Sequence, residues 1–348
     1  MSIKFFSLTV ATFCFINKKT MRRVSIIGTG SYVPEKVLTN KDLEKIIDTT
    51  DEWIYTRTGI RERRIANKNE ATSDLCKIAC ERALKSADLK PSKIDLIILA
   101  TITPDTHCPS GANWLEAKLG CDNAVSFDIT AACTGFIFAL HVAEKMIFSG
   151  AYKHVLVVAG EVMSRVVNWE DRESCILWGD GAGAVVLAES NLGAELRSTH
   201  IHTEGKSGGT LLMPGGGSKT TPISHESVHL KLHYLKMIEP NKSFKVAVNR
   251  FTEACMEAVK FNGYDIKDID WIIPHQANIR ILQAMAEKLK FPFERVYTTI
   301  EKYGNISSAS VAIALDEAVR TGKIRRDDLV VLTAFGGGLT WGSAFIRW

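Results

Sequence analysis

The chain reads ACERALKSADLKPSKIDLII at residues 79–98 and, 175 positions later, ACMEAVKFNGYDIKDIDWII at residues 254–273. Each stretch begins with Ala-Cys-x-x-Ala, a spacing that places small apolar side chains on one face of a helix. Each ends in Ile-Asp followed by an apolar run of the kind found in strands that are buried on both faces. The sequence therefore predicts one α/β unit that occurs twice.

The repeat extends beyond these stretches. Ala139-Leu140 and the strand residues Val155 to Val157 have counterparts, at the same shift, in Ala314-Leu315 and in Val330 to Leu332. We predict an N-terminal half at 21–200, a C-terminal half at 226–348 and a glycine-rich connecting region at 201–225. Two sheets packed through shared helices would form alternating layers, with a cleft where the halves meet.

The first strand is predicted at Val24 to Ile27, and the glycines of Gly28-Thr29-Gly30-Ser31 indicate a turn after it. A dinucleotide-binding loop is excluded there, because the third glycine is missing and Pro34 blocks the helix that this loop requires.

The composition excludes several classes of protein. The chain has 348 residues, 46% of them hydrophobic and 24% charged, as in a globular protein of about two domains. It has no apolar run long enough for a membrane-spanning helix, and a net charge of +4 does not favour nucleic-acid binding. Eight scattered cysteines indicate reduced thiols in the cytoplasm, and no cysteine or histidine spacing matches a metal site.

Residues 1–20 are predicted to be an extension of the folded protein. An apolar stretch from Phe5 to Ile16 is flanked by basic residues and lacks acidic ones. We interpret it as the product of an upstream start codon, with Met21 as the first residue of the fold. A targeting segment is the alternative, and it would place the protein in an organelle stroma rather than the cytoplasm.

Four segments at strand ends carry candidate chemistry. Cys133 lies between a strand and an apolar helix, where a helix N-terminus favours a thiolate nucleophile, although an inert buried cysteine fits equally well. His275 ends the second buried strand of the repeat. Asn305 precedes a helix, where it could be an N-cap. Gly336 to Gly338 follow a strand, and glycines there let a backbone N–H approach a ligand closely, as an oxyanion donor requires.

In this order, these four segments resemble the β-ketoacyl-acyl carrier protein synthase III family of the thiolase superfamily. The segment DEWIYTRTGIRER at residues 51–63 is also typical of that family, and the resemblance extends from Met21 to Trp348. It implies an α/β fold of the thiolase type, with five αβαβα layers built from two repeated halves, and a homodimer.

The resemblance also implies a reaction. Cys133 would accept the acyl group of an acyl-CoA, of which acetyl-CoA is the expected one. Malonyl-acyl carrier protein would then lose CO2 and condense with that group, the initiating step of type II fatty acid synthesis. His275 and Asn305 would donate to the developing enolate, and the backbone N–H groups of Cys133 and Gly337 would form the oxyanion hole. No cofactor or metal is implied.

Binding residues follow from the same resemblance. The residues implied for coenzyme A are Thr49, Trp53, Arg57, Arg172 and Asn278, with Trp53 and Arg172 on the two faces of adenine. Those implied for the acyl pocket are Cys108, which would reach it across the dimer, Leu177 and Trp178. Those implied for the carrier protein are Gln276, Ala277, Asn278, Ile279, Arg280, Lys245 and Lys288.

Three alternatives stay open at the level of sequence. A thiolase-fold acyltransferase of secondary metabolism would use the same three side chains with another acyl acceptor. A cysteine hydrolase would release a free acid, and an acyl-binding module would need no nucleophile. The chain length of the acyl primer is not determined by these motifs.

Overall fold

The computed structural model describes residues 23–218, 222–238 and 240–348. The predicted extension at 1–20 lies outside the described residues. The strands are Val24–Tyr32 (β1), Val37–Thr39 (β2), Glu62–Arg64 (β3), Leu96–Ala100 (β4), Val125–Ile129 (β5), His154–Val162 (β6), Asp180–Glu189 (β7), Ala194–Thr203 (β8), Leu211–Leu212 (β9), Lys236–Met237 (β10), Trp271–Pro274 (β11), Leu329–Gly336 (β12) and Thr340–Arg347 (β13).

The helices alternate with these strands along most of the chain. They are Asn40–Leu43 (α1), Asp51–Thr58 (α2), Thr72–Ser86 (α3), Gly111–Leu119 (α4), Gly135–Phe148 (α5), Arg172–Cys175 (α6), His225–His229 (α7), Pro240–Phe261 (α8), Ile279–Leu289 (α9), Ile300–Tyr303 (α10) and Ala309–Arg320 (α11).

The main sheet shows the repeat directly. Its nine strands lie in the order β11-β12-β13-β8-β1-β7-β6-β4-β5. Inward of the edge strand β5, strands β4 and β6 are parallel to each other, and β7 and β1 then pair antiparallel. Strands β11, β12, β13 and β8 repeat this pattern in the second half. The halves meet at β1 and β8, through the pairs Ser25–Glu195 and Ile26–Ala194. The boundaries at 200 and 226 stay a prediction, and β8 lies among the strands of the second half.

Hydrophobic cores lie between the five layers. The central core contains the apolar faces of α5 and α11, packed between the strands of the two halves. A second core lies under α3 and α4 on the outside of the first half, and a third lies under α8 and α9 on the outside of the second. The predicted αβαβα arrangement is confirmed, because each sheet half buries both faces against helices.

The predicted turn at residues 28–31 is wrong, because β1 continues to Tyr32. Gly28 and Gly30 lie on the strand face that α3 covers. A Cβ atom would lie 2.4 Å from the carbonyl oxygen of Ala83 at Gly28, and 2.3 Å from that of Ala79 at Gly30. These glycines therefore allow a helix to pack directly on the strand, rather than reversing the chain.

Two further observations concern the residues that the structure describes. None of their helices combines the length and apolar character needed to cross a membrane. They contain no group of three or more His, Cys, Asp or Glu side chains arranged to hold a metal ion.

Candidate active site

A cavity of about 240 Å³ lies where the two halves meet, and its lining includes all three predicted reactive side chains. Cys133 comes from the turn before α5, His275 from the end of β11 and Asn305 from the turn before α11. The full lining is Cys133, Leu177, Trp178, Leu211, Met237, Phe244, Ala247, His275, Ala277, Asn278, Ile281, Asn305, Phe335, Gly336 and Gly337. Side chains from both halves therefore face one mostly apolar space.

Cys133 sits in a tight turn between β5 and α5. Ala132 has a left-handed backbone with φ +46°, which an alanine adopts only when the surrounding structure holds it. The turn presses against Gly336, where a Cβ atom would lie 2.9 Å from the Cys133 backbone nitrogen. Only 5% of Cys133 is exposed. The sulfur is thus fixed in position and largely shielded from water.

Burial raises the pKa of the Cys133 thiol to about 12. The Ser307 hydroxyl and the backbone N–H groups of Cys133 and Gly337 lower this pKa, but by less than burial raises it. The direction of this shift favours a neutral thiol, and the role of Cys133 as the nucleophile stays a prediction. Removal from water disfavours the charged form more strongly than a partial helix charge favours it, and α5 itself begins two residues later, at Gly135.

His275 is neutral in this site. Its backbone N–H donates to the Thr333 carbonyl at 2.8 Å, which anchors the end of β11 to β12. Burial lowers the pKa of His275 to about 3, and its Nδ1 atom has no hydrogen-bond partner in the described part of the chain. An uncharged imidazole still carries one N–H group, so His275 can act at neutral pH as a hydrogen-bond donor.

Backbone pairing holds Asn305 against the loop that carries Leu177 and Trp178. The Asn305 N–H donates to the Leu177 carbonyl at 2.8 Å, and the Gly179 N–H donates to the Asn305 carbonyl at 3.0 Å. The side-chain Oδ1 accepts the Ser307 N–H at 2.8 Å. Since Oδ1 is used in this way, the amide NH2 group is the part of Asn305 that remains for the cavity.

Trp53, Arg57 and Arg172 form one stack. The Arg172 Cζ atom lies 4.1 Å from the centroid of the Trp53 ring, and the Arg57 Cζ atom lies 4.3 Å from the same centroid. These are direct cation–π contacts, in which two guanidinium groups lie against one indole ring.

Asn278 contacts this stack through the Arg57 backbone. Asn278 is the N-cap of α9, since its Oδ1 accepts the Arg280 N–H at 2.9 Å, while its Nδ2 donates to the Arg57 carbonyl at 2.9 Å. The side chain thus ties α9 to the end of α2. Thr49 is buried, and its hydroxyl has no partner among the described residues.

The residues predicted for the carrier protein divide into two groups. Arg280, Lys245 and Lys288 are exposed, whereas Ala277 and Ile279 are half-buried. Gln276 is fully buried. Its amide donates to the Pro274 carbonyl at 2.7 Å and accepts from the Thr299 N–H at 2.8 Å. Its assignment to carrier binding is therefore corrected: the side chain holds the β11 end in place.

Leu177 and Trp178 line the cavity, whereas Cys108 does not, and the predicted role of Leu177 and Trp178 in an acyl pocket stays a prediction. Cys108 is exposed on the loop after β4, and it is absent from the lining within one chain. Its predicted role across a dimer stays a prediction.

Sequence reasoning missed the apolar mouth of the cavity, formed by Leu211, Met237, Phe244 and Phe335. Three of these come from the region around residues 205–247, where glycines and short elements conceal any periodic pattern. It also missed Arg63, which is fully buried and donates to the carbonyl of Ile176 at 2.8 Å, just before Leu177. Nothing in the sequence indicates that this arginine is fully buried.

The fold and the cavity define a class, that of condensing acyltransferases with a thiolase fold. The family profile "3-Oxoacyl-[acyl-carrier-protein (ACP)] synthase III" matches residues 127–205, and the profile of its C-terminal part matches residues 259–348. A β-ketoacyl-[acyl-carrier-protein] synthase III of Caldanaerobacter subterraneus subsp. tengcongensis is 50% identical over 93% of this chain and 97% of its own. The chain therefore belongs to the β-ketoacyl-[acyl-carrier-protein] synthase III family.

Solved structures agree with this assignment. The 3-oxoacyl-[acyl-carrier-protein] synthase III of Aquifex aeolicus is 46% identical, with a TM-score of 0.85 over 93% of this chain and all of that one. The priming β-ketosynthase of the R1128 polyketide pathway is 36% identical, with a TM-score of 0.86 over 94% of this chain and 97% of that one. The chain is an acyltransferase, the condensing enzyme that initiates fatty acid synthesis.

Proposed function

We propose that the enzyme transfers an acyl group, in the first place acetyl, from coenzyme A to Cys133 and condenses it with malonyl-acyl carrier protein. The observation that carries the proposal is the convergence of Cys133, His275 and Asn305 on one apolar cavity. The products are 3-ketoacyl-acyl carrier protein, CO2 and coenzyme A. No resident cofactor has a part in these steps.

The first half-reaction is acyl transfer to sulfur. The thiol loses its proton, the sulfur attacks the thioester carbonyl, and the coenzyme A thiolate leaves. The backbone N–H groups of Cys133 and Gly337 already act on the sulfur, since both lower the pKa of the thiol. The same two donors can bind the oxyanion that forms on the carbonyl oxygen next to that sulfur.

The second half-reaction needs hydrogen-bond donors and no nearby carboxylate. Loss of CO2 from the malonyl group places negative charge on its thioester oxygen. Neutral His275 and the NH2 group of Asn305 can both donate to that oxygen, and none of the described residues that line the cavity is an Asp or a Glu. The carbanion then attacks the acyl carbonyl on Cys133, and the C–S bond breaks.

Both thioester substrates would enter through the same mouth. We assign the Trp53 and Arg172 stack to adenine, Arg57 to phosphate, and Asn278 and Thr49 to the path between them and the cavity. The exposed side chains of Arg280, Lys245 and Lys288 would attract an acidic carrier protein by charge. Leu177 and Trp178 would set the depth available to the primer.

We also propose a homodimer that forms along β5. This strand lies at the end of the nine-stranded sheet, so one of its edges is unpaired within the described chain. Val125 on this strand is 50% exposed. An open apolar edge is a template for pairing with another chain, and a second copy would complete it. Cys108 lies in the same half, on an exposed loop.

Product analysis tests this proposal. The enzyme is incubated with labelled acetyl-CoA and malonyl-acyl carrier protein, and we expect labelled 3-ketoacyl-acyl carrier protein. Free labelled acetate as the main product would indicate a hydrolase instead. Product formation with a non-carrier acceptor, but not with the carrier protein, would favour the secondary-metabolism alternative.

A further inference from the structure

Two turns meet at the reactive end of the cavity, and each contains a left-handed residue that is not glycine. The turn before α5 carries Cys133 and has Ala132 with φ +46°. The turn between β12 and β13 carries Gly337 and has Leu339 with φ +50°. A residue with a Cβ atom keeps this backbone conformation only where the surrounding structure holds it. Both turns therefore need contacts that hold their backbones in place.

The two turns touch through their backbones. At Gly336, a Cβ atom would lie 2.9 Å from the Cys133 nitrogen and 3.1 Å from the Thr134 nitrogen. Gly336 pairs with Thr340 across the β12–β13 turn, and Thr340 is the residue at which the chain re-enters the sheet. Thr134 and Thr340 meet at this contact, one from each turn, although they are 206 positions apart in the sequence.

The hydroxyl groups of Thr134 and Thr340 form a pair at this contact. Their oxygen atoms are 2.6 Å apart, and both residues are buried. The Thr134 hydroxyl also lies 2.6 Å from the Ala131 carbonyl oxygen. The Thr340 hydroxyl lies 3.2 Å from the Gly337 carbonyl oxygen and 3.3 Å from that of Ala131. The pair therefore reaches the backbone of both turns.

Two hydroxyl hydrogens serve this network, so two arrangements are available. In the first, Thr134 donates to the Ala131 carbonyl and Thr340 donates to the Thr134 oxygen. In the second, Thr134 donates to the Thr340 oxygen and Thr340 donates to the Gly337 carbonyl. The distance of 2.6 Å to Ala131, against 3.2 Å to Gly337, favours the first. In both arrangements one hydroxyl bonds to the other, so the loss of either hydroxyl breaks the link between the turns.

The carbonyls that the pair contacts are neighbours of the proposed oxyanion donors along the chain. The Ala131 carbonyl and the Cys133 N–H belong to consecutive peptide units that share the Ala132 Cα atom. The N–H and the carbonyl of Gly337 likewise belong to consecutive peptide units that share its own Cα atom. Each peptide unit is planar, so only the two dihedral angles at the shared Cα separate a held carbonyl from the direction of the donor.

We propose that Thr134 and Thr340 are positioning residues for the oxyanion hole, and that their hydroxyl pair fixes the N–H groups of Cys133 and Gly337 relative to each other. This inference rests on the proposed function, in which those two N–H groups bind the oxyanion formed as Cys133 is acylated. Neither threonine lines the cavity, so both act through the backbone and not on the substrate. Donors of this kind stabilise a transition state when they already point to the place where charge develops.

The test compares Thr340→Val and Thr134→Val with the native enzyme, because valine has the shape of threonine without its hydroxyl. We expect acylation of Cys133 by acetyl-CoA, followed by rapid quench and intact mass, to slow about tenfold or more in each variant. The acetyl-CoA concentration that gives half the maximal acylation rate should change little. Thr340→Ser keeps the hydroxyl and should acylate at the native rate. So should the matched control Thr72→Val, since Thr72 is buried and donates to the Thr103 carbonyl from the outer helix α3.

The acyl-enzyme itself supplies a second readout. A carbonyl that accepts hydrogen bonds is polarised, and its infrared C=O stretch moves to lower frequency. Acetyl-CoA with and without a heavy carbon isotope at the carbonyl isolates this band for the acetyl group on Cys133. We expect the band at higher frequency in Thr340→Val and in Thr134→Val than in the native enzyme, and at the native frequency in Thr340→Ser and Thr72→Val. The double valine variant should differ no further, because either loss breaks the same link.

Three results would overturn the inference. The first is a native acylation rate with a native carbonyl band in folded Thr340→Val or Thr134→Val enzyme, and either variant alone suffices if the other does not fold. The second is an equal loss in Thr340→Ser and Thr340→Val, which would assign the effect to shape. The third is an equal loss in Thr72→Val, which would make it a general effect of removing a buried hydroxyl. Failure of the proposed function looks different, because the native enzyme then carries no acetyl group on Cys133 and gives no 3-ketoacyl product.

Discussion

Cys133, His275 and Asn305 have different roles in the two proposed half-reactions. His275 and Asn305 line the cavity beside Cys133, and both carry N–H groups that can donate a hydrogen bond. We expect His275→Ala and Asn305→Ala to slow malonyl decarboxylation far more than acylation of Cys133, by about 100-fold or more, because each removes a donor to the enolate. Release of labelled CO2, measured beside the rate of acyl-enzyme formation, separates the steps. An equal loss in both rates contradicts this division.

The burial of His275 also makes stability depend on pH. Its folded pKa of about 3 lies below the ordinary value of about 6.5, so the unfolded chain binds the extra proton first. Stability is therefore fully present above about pH 6.5 and falls as the pH drops toward 3. Between pH 7 and pH 5 this one group should remove about 2 kcal/mol.

Urea unfolding at the two pH values measures this contribution. The free energy of unfolding should fall by about 2 kcal/mol more in the native enzyme than in His275→Gln, which has no group to titrate at this position. The same fall in both proteins would show that His275 is not buried as a neutral group.

At this scale the sequence allowed prediction of the reactive side chains but not of their charge states. Cys133, His275 and Asn305 could be predicted because each ends or precedes a strand or helix of a recognisable repeat. The neutral state of the thiol could not be predicted, because it depends on how completely the folded chain buries Cys133. Gln276 was misassigned because sequence adjacency to His275 does not reveal which way a side chain points.

At the scale of elements, helix α2 carries Trp53 and Arg57, and the Arg57 carbonyl accepts a hydrogen bond from Asn278, which lines the cavity. Thr50 begins the helix by accepting the Trp53 N–H at 3.1 Å, and Gly59 ends it with φ +78°. This left-handed glycine packs on α9, since a Cβ atom there would lie 2.6 Å from Ile279 Cβ. The position of the indole is thus fixed by two helix ends.

The stack of Trp53, Arg57 and Arg172 leads to a prediction about coenzyme A binding. Trp53→Ala should raise the KM for acetyl-CoA about tenfold or more, because an indole face in contact with a ring and a guanidinium contributes about 1–2 kcal/mol. The control is a substrate, acetyl-pantetheine, which lacks adenine and should show nearly the same KM in both enzymes. A KM for acetyl-CoA that Trp53→Ala leaves unchanged would place adenine elsewhere.

Strand β1 shows a structural requirement that could not be predicted from its own sequence. Its glycines were interpreted as a turn because glycine is the commonest turn residue. Gly28 and Gly30 alternate along the strand, however, and so lie on one face, where α3 needs the room that a side chain would take. That requirement belongs to the partner helix, and it becomes visible only when both elements are in place.

For the whole molecule, the repeat was the most informative feature of the sequence. It correctly predicted two α/β units with shared central helices, because a duplicated pattern of burial demands a duplicated arrangement of layers. It did not reveal that the units join edge to edge through β1 and β8. That contact consists of backbone pairing, which depends little on side-chain identity.

The open edge of β5 leads to a prediction about the oligomeric state of the protein. The Val125 N–H donates inward, to Asp95, so by the alternation of a strand the Ser126 N–H points outward. Ser126→Pro removes that outward donor and leaves the inward bonds to β4, whereas Phe127→Pro removes an inward one. We expect Ser126→Pro to yield a folded monomer in light scattering after gel filtration. A stable Ser126→Pro dimer would contradict a β5 interface.

The central claim is that Cys133 carries the acyl group between the two half-reactions, and a single-turnover chase tests it most directly. The enzyme is loaded with labelled acetyl-CoA, freed of excess substrate and then mixed with malonyl-acyl carrier protein, with peptide mass spectrometry before and after mixing. We predict label on Cys133 alone, its complete transfer into 3-ketoacyl-acyl carrier protein, and no label in Cys133→Ala. Label on another residue, or label that leaves Cys133 as free acetate, would contradict the account.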